Sequence, residues 1–148
     1  MSMSNSFETD LLELLFNNTA IDNIGDASGL QPSGAAGSLY ISLHTGDPGE
    51  AGNQGTNETV YTNYSRVAVA RTAGAWSISG NTVSNVALVQ FPQCGATGAT
   101  ITYVGVGVSP TAGDTGQLLF SGQLSASLTV ANLIQPQFAA GDIDLVAD

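Results

Sequence analysis

At 148 residues the chain fits one domain, since a length of this order buries roughly 70% of the unfolded surface in a single core. Only 9% of its residues are charged, where an average globular chain has about 25%; Arg66 and Arg71 are the only cations against twelve carboxylates, for a net charge of −10. That balance argues against nucleic acid as a partner, because phosphate affinity comes from Lys and Arg that displace counterions, and no apolar run approaches the roughly 18 residues of a membrane span.

Phe7, Leu11, Leu14 and Leu15 recur at i, i+4, i+7 and i+8 and predict a helix over residues 7–17. No basic stretch precedes it, so no signal peptide is expected. Asn5 followed by Glu8 resembles a capping box, and Glu8, Asp10 and Glu13 suit the positive end of the helix dipole. Leu12 and Phe16 widen the apolar face, which is expected to dock on the chain's own sheet in preference to a neighbouring subunit.

Residues 22–38 turn to Gly, Ser, Ala, Asn and Pro without periodicity and read as a long loop or extended arm; residues 46–57 repeat that composition. Loops of this length are uncommon in compact domains unless they are functional or disordered, so both are expected to be contact surfaces. Between them Leu39, Ile41 and Leu43 alternate with Tyr40, Ser42 and His44, a short strand. It runs into Gly46-Asp47-Pro48-Gly49, where proline presets φ and glycine tolerates a positive one.

From residue 58 onward the pattern is strands and turns. Tyr64 to Arg71 alternates, and Trp76–Ser79 with Thr82–Val86 predicts a hairpin closed by the two-residue turn Gly80-Asn81. Val86–Phe91 extends to the break at Pro92 and Gly95, where Cys94, with no cation beside it, reads as a buried small side chain. As the only cysteine it allows no intrachain disulfide.

Ile101–Ser109 is expected to be the central strand, with Val104, Val106 and Val108 on one face. Gly105 and Gly107 on the other face invite close approach by Trp76 or another sheet's backbone. Gln117–Phe120 and Leu124–Val130 follow as two strands, and Ile143, Leu145 and Ala147 alternate with Asp142, Asp144, Val146 and Asp148 at the end. About eight short antiparallel strands and one N-terminal α-helix indicate a mainly β sandwich or jelly roll.

Chemistry finds little support. His44 is the only histidine, and Ser42 and Asp47 near it form no nucleophile elbow. Asp142 and Asp144 make a carboxylate pair without an aromatic cleft. With Asp114 they offer hard oxygen ligands, but no Asp-x-Asp-x-Asp-Gly calcium loop exists. No catalytic residue, metal or cofactor is therefore expected. Arg66 and Arg71 are expected to form bidentate bridges to carboxylates, with a grip on another subunit as the alternative; Tyr61 and Tyr64 suit either role.

The helix, then Leu39-Tyr-Ile-Ser-Leu-His-Thr-Gly-Asp-Pro-Gly49, then Tyr64-Ser-Arg-Val-Ala-Val69 resembles a family of small structural proteins of tailed bacteriophages with a Leu-His-Thr-x-Asp-Pro-Gly signature. Val104-Gly-Val-Gly-Val108, Gly116-Gln-Leu-Leu-Phe-Ser-Gly122 and Ala140-Gly-Asp-Ile-Asp-Leu145 follow in the family's order, so the resemblance spans nearly the whole chain. Some members are labelled tail-fibre proteins; others act as cement proteins that staple neighbouring capsomers.

The resemblance implies one virion structural domain over residues 1–148, with helix and arm at about 5–38 and the β-domain at about 39–148. A compact body without a repetitive shaft favours capsid cement on the outer surface of the head, bound to the major capsid protein and made in the host cytoplasm. The alternative is a tail-fibre or tail-tip protein contacting a host receptor or glycan. A homo-oligomer is expected, a dimer before a trimer. Candidate contact or architectural residues are Phe7, Leu11, Leu15, His44, Asp47, Glu50, Tyr64, Arg66 and Arg71.

Overall fold

The computed structural model describes residues 2–147, so Asp148 of the terminal alternation lies outside the described residues. Helix α1 (Asn5–Asn17) precedes nine strands: β1 (Ser38–His44), β2 (Val67–Ala70), β3 (Trp76–Ser79), β4 (Thr82–Asn85), β5 (Val89–Gln90), β6 (Ala99–Gly107), β7 (Leu118–Val130), β8 (Gln137–Phe138) and β9 (Asp144–Val146). They form three sheets, ordered β2-β1-β6-β7, β3-β4-β9 and β5-β8. Strand content and antiparallel pairing fit the β-sandwich class expected from the sequence. The chain divides into two compact units, one of residues up to Ser38 with Ala70–Leu88 and Phe138 onward, the other of Leu39–Val69 with Val89–Gln137.

In the first unit α1 lies against β3 and β4, which is its own chain's sheet. Its cap is Ser4, whose Oγ accepts the Phe7 N–H at 3.4 Å, so the helix starts before the Asn5 capping box that the sequence suggested. The buried stripe is Glu8, Leu12 and Phe16, whereas Phe7, Leu11 and Leu15 are half-buried beside it. The aromatic payload explains the rotation: Phe16 and Trp76 meet edge to face at 4.9 Å, both 0% exposed.

Gly80-Asn81 closes the β3–β4 hairpin, with Ser79 opposite Thr82 and Gly80 at φ 61°, a backbone suited to glycine. The Thr9 hydroxyl donates to the Gly80 carbonyl at 2.8 Å, tying helix to turn. Val83 pairs with Leu145, and Ile143, Leu145 and Ala147 are buried while Asp142, Asp144 and Val146 face outward. Residues 22–29 form a closed loop, because Ile21 and Leu30 exchange backbone hydrogen bonds at 3.0 and 2.8 Å.

In the second unit β6 is an interior strand, between β1 and β7. Strand β1 is buried on both faces: Leu39, Ile41 and Leu43 on one, Ser42 and His44 on the other. The glycine face of β6 explains how polar groups fit there. A Cβ on Gly105 would sit 2.7 Å from His44 Nε2 and 2.8 Å from Ser42 Oγ, and one on Gly107 would collide with the Gln54 carboxamide. These side chains fill the space proposed above for Trp76, which packs on Phe16 in the other unit.

Two further boundaries differ from expectation. The stretch read as two strands is one, β7, whose irregular register jumps from Ile101↔Leu128 to Tyr103↔Gln123 and leaves residues 124–127 outside the ladder. The strand expected over 86–91 shrinks to β5, since Val86 and Leu88 are exposed. The neighbouring segment is held crosswise instead, with Phe91 N–H on the Pro136 carbonyl at 2.9 Å and Cys94 N–H on Ile134 at 2.8 Å. Cys94 is buried, as expected.

Candidate functional site

The densest polar cluster is centred on Glu58, at the end of the 46–57 loop. Arg66 lies just before β2 and meets its carboxylate twice, Nε to Oε1 at 2.7 Å and Nη2 to Oε2 at 2.8 Å. The guanidinium also donates to the carbonyls of Ser109 at 3.0 Å and Asp114 at 2.9 Å. Glu58 additionally accepts the Tyr64 hydroxyl at 2.8 Å and the Gly113 N–H at 2.7 Å. The bidentate fork predicted for an arginine is thus realised by Arg66, and it pins the 109–114 loop to the root of β2.

Burial alone would raise the Glu58 carboxyl, but Arg66, the Gly113 N–H and the Tyr64 hydroxyl together hold it below its ordinary range. Burial pushes the Tyr64 phenol well up, against the opposing pull of the Leu43 N–H that it accepts at 3.0 Å. Burial likewise raises Tyr61 to about 12, and its hydroxyl donates to the Pro92 carbonyl at 2.9 Å.

His44 is 0% exposed. Its Nδ1 meets the Thr56 carbonyl at 2.8 Å and its Nε2 the Ser42 hydroxyl at 2.9 Å. A carbonyl only accepts, so Nδ1 carries the proton and Nε2 accepts from Ser42. Burial lowers the imidazole pKa, with the Thr56 bond and Glu58 opposing, which favours the neutral ring. Asp47 takes no part, because its carboxylate accepts the Gly49 N–H at 2.9 Å within the turn. The Ser42–His44 pair is a core fastener between β1 and the 46–57 loop.

That loop is a folded element, not the extended arm its composition suggested. Turn bonds Gly52 to Gly49 and Thr56 to Asn53 curl it, and the buried Gln54 side chain donates to Tyr40 and accepts from Ser109. Nothing in the Gly-rich pattern marked Gln54, whose partners lie 14 and 55 residues away; Glu58 has Tyr64 and Arg66 within eight residues, but no pattern singled it out from the other carboxylates. Glu50 is exposed, beside an open groove of about 360 Å3 shared with Leu118–Ser121. A second groove, about 420 Å3, is bordered by Thr59, Val60, Tyr61, Tyr64, Ala112 and Gly113. Val60 is 89% exposed, and the buried Thr59 hydroxyl has no hydrogen-bond partner.

Arg71 belongs to the first unit and has a different partner from the carboxylate expected. Its Nε and Nη2 donate to the carbonyls of Leu15 and Leu14, both at 2.6 Å, and its Nη1 to Ser33 Oγ at 3.0 Å and the Ala36 carbonyl at 3.2 Å. The last four carbonyls of a helix lack intrahelical partners, and a cation there also meets the negative end of the dipole. Phe7, Leu11 and Leu15 belong to this same unit, so the candidate residues do not converge on one site.

Among the described residues, no group of three or more His, Cys, Asp or Glu side chains is placed to hold a metal ion, and no helix is long and apolar enough to cross a membrane. Asp142 caps the Ala139 N–H and Asp144 accepts from Ser84 Oγ, while Asp114 accepts from Ser109 Oγ at 3.2 Å.

Antiparallel sheets, neutral strand surfaces and cations used to fasten loops and a helix end define a β-rich structural module. A family model described as Podophage GP4 fiber I protein gp80 matches residues 2–146, and the chain belongs to that family. It is a phage virion structural protein, the class that the Leu39–Gly49 resemblance implied. No curated protein matches the chain.

Proposed function

We propose that the chain is a non-catalytic, homo-oligomeric subunit of a fibre-type appendage of the virion, where it contacts a host-surface receptor or glycan. The observation that carries this reading is the match over residues 2–146 to a family described as a fibre protein. The fold supports it physically. The Glu58–Arg66 fork and the Arg71 collar on α1 hold loops and helix by charge-assisted bonds, which suits a part that must keep its shape outside a cell.

A second reading is cement on the outer face of the head, bound to the major capsid protein. It is favoured by the absence of a repetitive shaft from the sequence. Many copies on a capsid lattice would gain avidity from modest individual contacts. Cryo-electron microscopy of the parent virion separates the two: density for this fold in tail appendages supports the fibre reading, and copies spread over the icosahedral shell overturn it in favour of cement.

A further inference from the structure

We propose that the groove between residues 58–64 and residues 112–113 binds a neutral saccharide unit of a host-surface glycan. This rests on the receptor-contact reading above and names its site and ligand class. The groove, about 420 Å3, falls within the range of small-ligand sites, roughly 300–1,000 Å3. The buried fork joins its two walls. Glu58 on one wall accepts the Gly113 N–H of the other at 2.7 Å, and Arg66, clamped on Glu58, holds the Ser109 and Asp114 carbonyls. The opening is therefore preformed, which lowers the ordering cost of binding.

The tyrosines stiffen the first wall and are spent in doing so. Tyr61 and Tyr64 pack edge to face at 5.3 Å, and their hydroxyls donate to Pro92 and Glu58. What remains for a ligand lies beside them along the chain. Val60 is 89% exposed, an apolar surface for the C–H face of a sugar ring, and exposed Ala112 stands on the other wall. Thr62 Oγ1 accepts the Thr97 N–H at 3.0 Å and keeps its own hydrogen to donate. Exposed Asn63 gives one amide hydrogen to the Gln93 carbonyl at 3.4 Å and keeps the other, together with Oδ1. Thr59 is the independent sign of a missing group: it is buried, it borders the groove, and its hydroxyl has no partner, where a buried polar group ordinarily has one.

Charge selects the ligand class. Of the residues that border the groove Glu58 alone is charged, and both its oxygens are held by Arg66, so no unpaired carboxylate on the border attracts a cation. An anion meets a chain of net charge −10 and the exposed Asp114 just past the rim. A wholly apolar ligand would bury Thr62 and Asn63 without partners, which is costly. Hydroxyls arranged around a ring of C–H groups satisfy each of these conditions together.

The test is amide chemical-shift mapping by NMR on the intact chain, titrated with di- and trisaccharides of glucose, galactose, mannose and N-acetylglucosamine. Glucuronic acid and an acetylated trialanine amide serve as the anionic and peptide probes. At least one neutral sugar is expected to give saturable shifts at residues 59–64 and 112–113, and the other two probes none. Thr59→Val is expected to weaken that binding by about tenfold, the measure of one hydrogen bond, with a melting temperature no lower than wild type because the lost hydroxyl has no partner in the fold. Ala112→Trp, a bulky side chain on the rim, is expected to abolish binding, and Ala126→Trp, exposed on β7 outside the groove, to leave it unchanged; amide shifts elsewhere in the chain check the folding of each. A destabilised Thr59→Val that binds normally overturns the assignment of its hydroxyl to the ligand. Saturable shifts confined to another surface overturn the groove and leave the receptor reading standing. No saturable shift with any sugar, or stronger shifts with glucuronic acid or the peptide, overturns the saccharide site, while the fibre reading is decided separately by the virion density.

Discussion

Arg66 and Glu58 face each other through two parallel bonds, 2.7 Å from Nε to Oε1 and 2.8 Å from Nη2 to Oε2, with side chains 0% and 2% exposed. Breaking a buried pair from one side strands the other charge, which typically destabilises by about 3–5 kcal/mol, whereas replacing both partners with neutral groups is far milder. Arg66→Met is therefore expected to destabilise the second unit by that order, and Arg66→Met with Glu58→Gln to recover a large part of it. Hydrogen exchange at Ser109–Asp114 is the readout, since the Arg66 guanidinium holds that loop through the Ser109 and Asp114 carbonyls. Equal loss in the single and double variants would count against the pair as the cause.

Legibility in the sequence followed the distance between partners. Helix α1 and the Trp76–Ser79 hairpin were readable because a periodicity or a Gly-Asn turn lies within a few residues. That two cations in so acidic a chain would be engaged internally was also readable. Which groups engage them was not: Arg71 reaches Leu14 and Leu15, helix carbonyls that no side-chain pattern advertises. Gln54 was invisible for a related reason, and Ser42, readable as a face-mate of His44, did not show what it packs against. They fill the space that Gly105 and Gly107 leave open, and glycine shows that something approaches without saying what.

Acid is expected to destabilise the protein in two stages. Burial lowers the His44 pKa from its ordinary 6.5, so the unfolded chain takes up that proton first; the contribution is whole above 6.5 and is lost progressively as pH falls below it. Burial would raise the Glu58 carboxyl, but its partners hold it below its ordinary 4.5, so its contribution is whole above 4.5 and is lost as pH falls through the folded value. Melting temperature is thus expected to be flat above neutrality, to fall below 6.5 and to fall again below 4.5. His44→Gln should abolish the upper stage and keep the lower one; an unchanged upper stage would assign it to another group.

Arg71→Lys is expected to behave as a loss despite keeping the charge. An ammonium cannot span the two helix carbonyls, Ser33 and Ala36 as the guanidinium does. Hydrogen bonds to a charged donor contribute about 1.5–3 kcal/mol each, so destabilisation of roughly 1–3 kcal/mol is expected. Trp76 sits against Phe16 in the same unit, which makes its fluorescence in a urea titration the natural probe. A lysine variant with wild-type midpoint and slope would show the collar to be incidental.

Gly105→Ala and Gly122→Ala should differ sharply although both lie in the β6–β7 ladder. A methyl at Gly105 meets His44 Nε2 at 2.7 Å, Ser42 Oγ at 2.8 Å and Leu118 Cδ1 at 2.9 Å, whereas at Gly122 nothing lies within 4 Å. Overpacking a core typically destabilises by about 1–3 kcal/mol, and here relief would require moving a histidine fixed at both ring nitrogens by Thr56 and Ser42. Alanine at Gly122 instead restricts the unfolded chain and is expected to be neutral or to stabilise by up to about 1 kcal/mol. Thermal unfolding of the two variants side by side checks the contrast. Equal melting temperatures would mean that the His44 pocket yields freely.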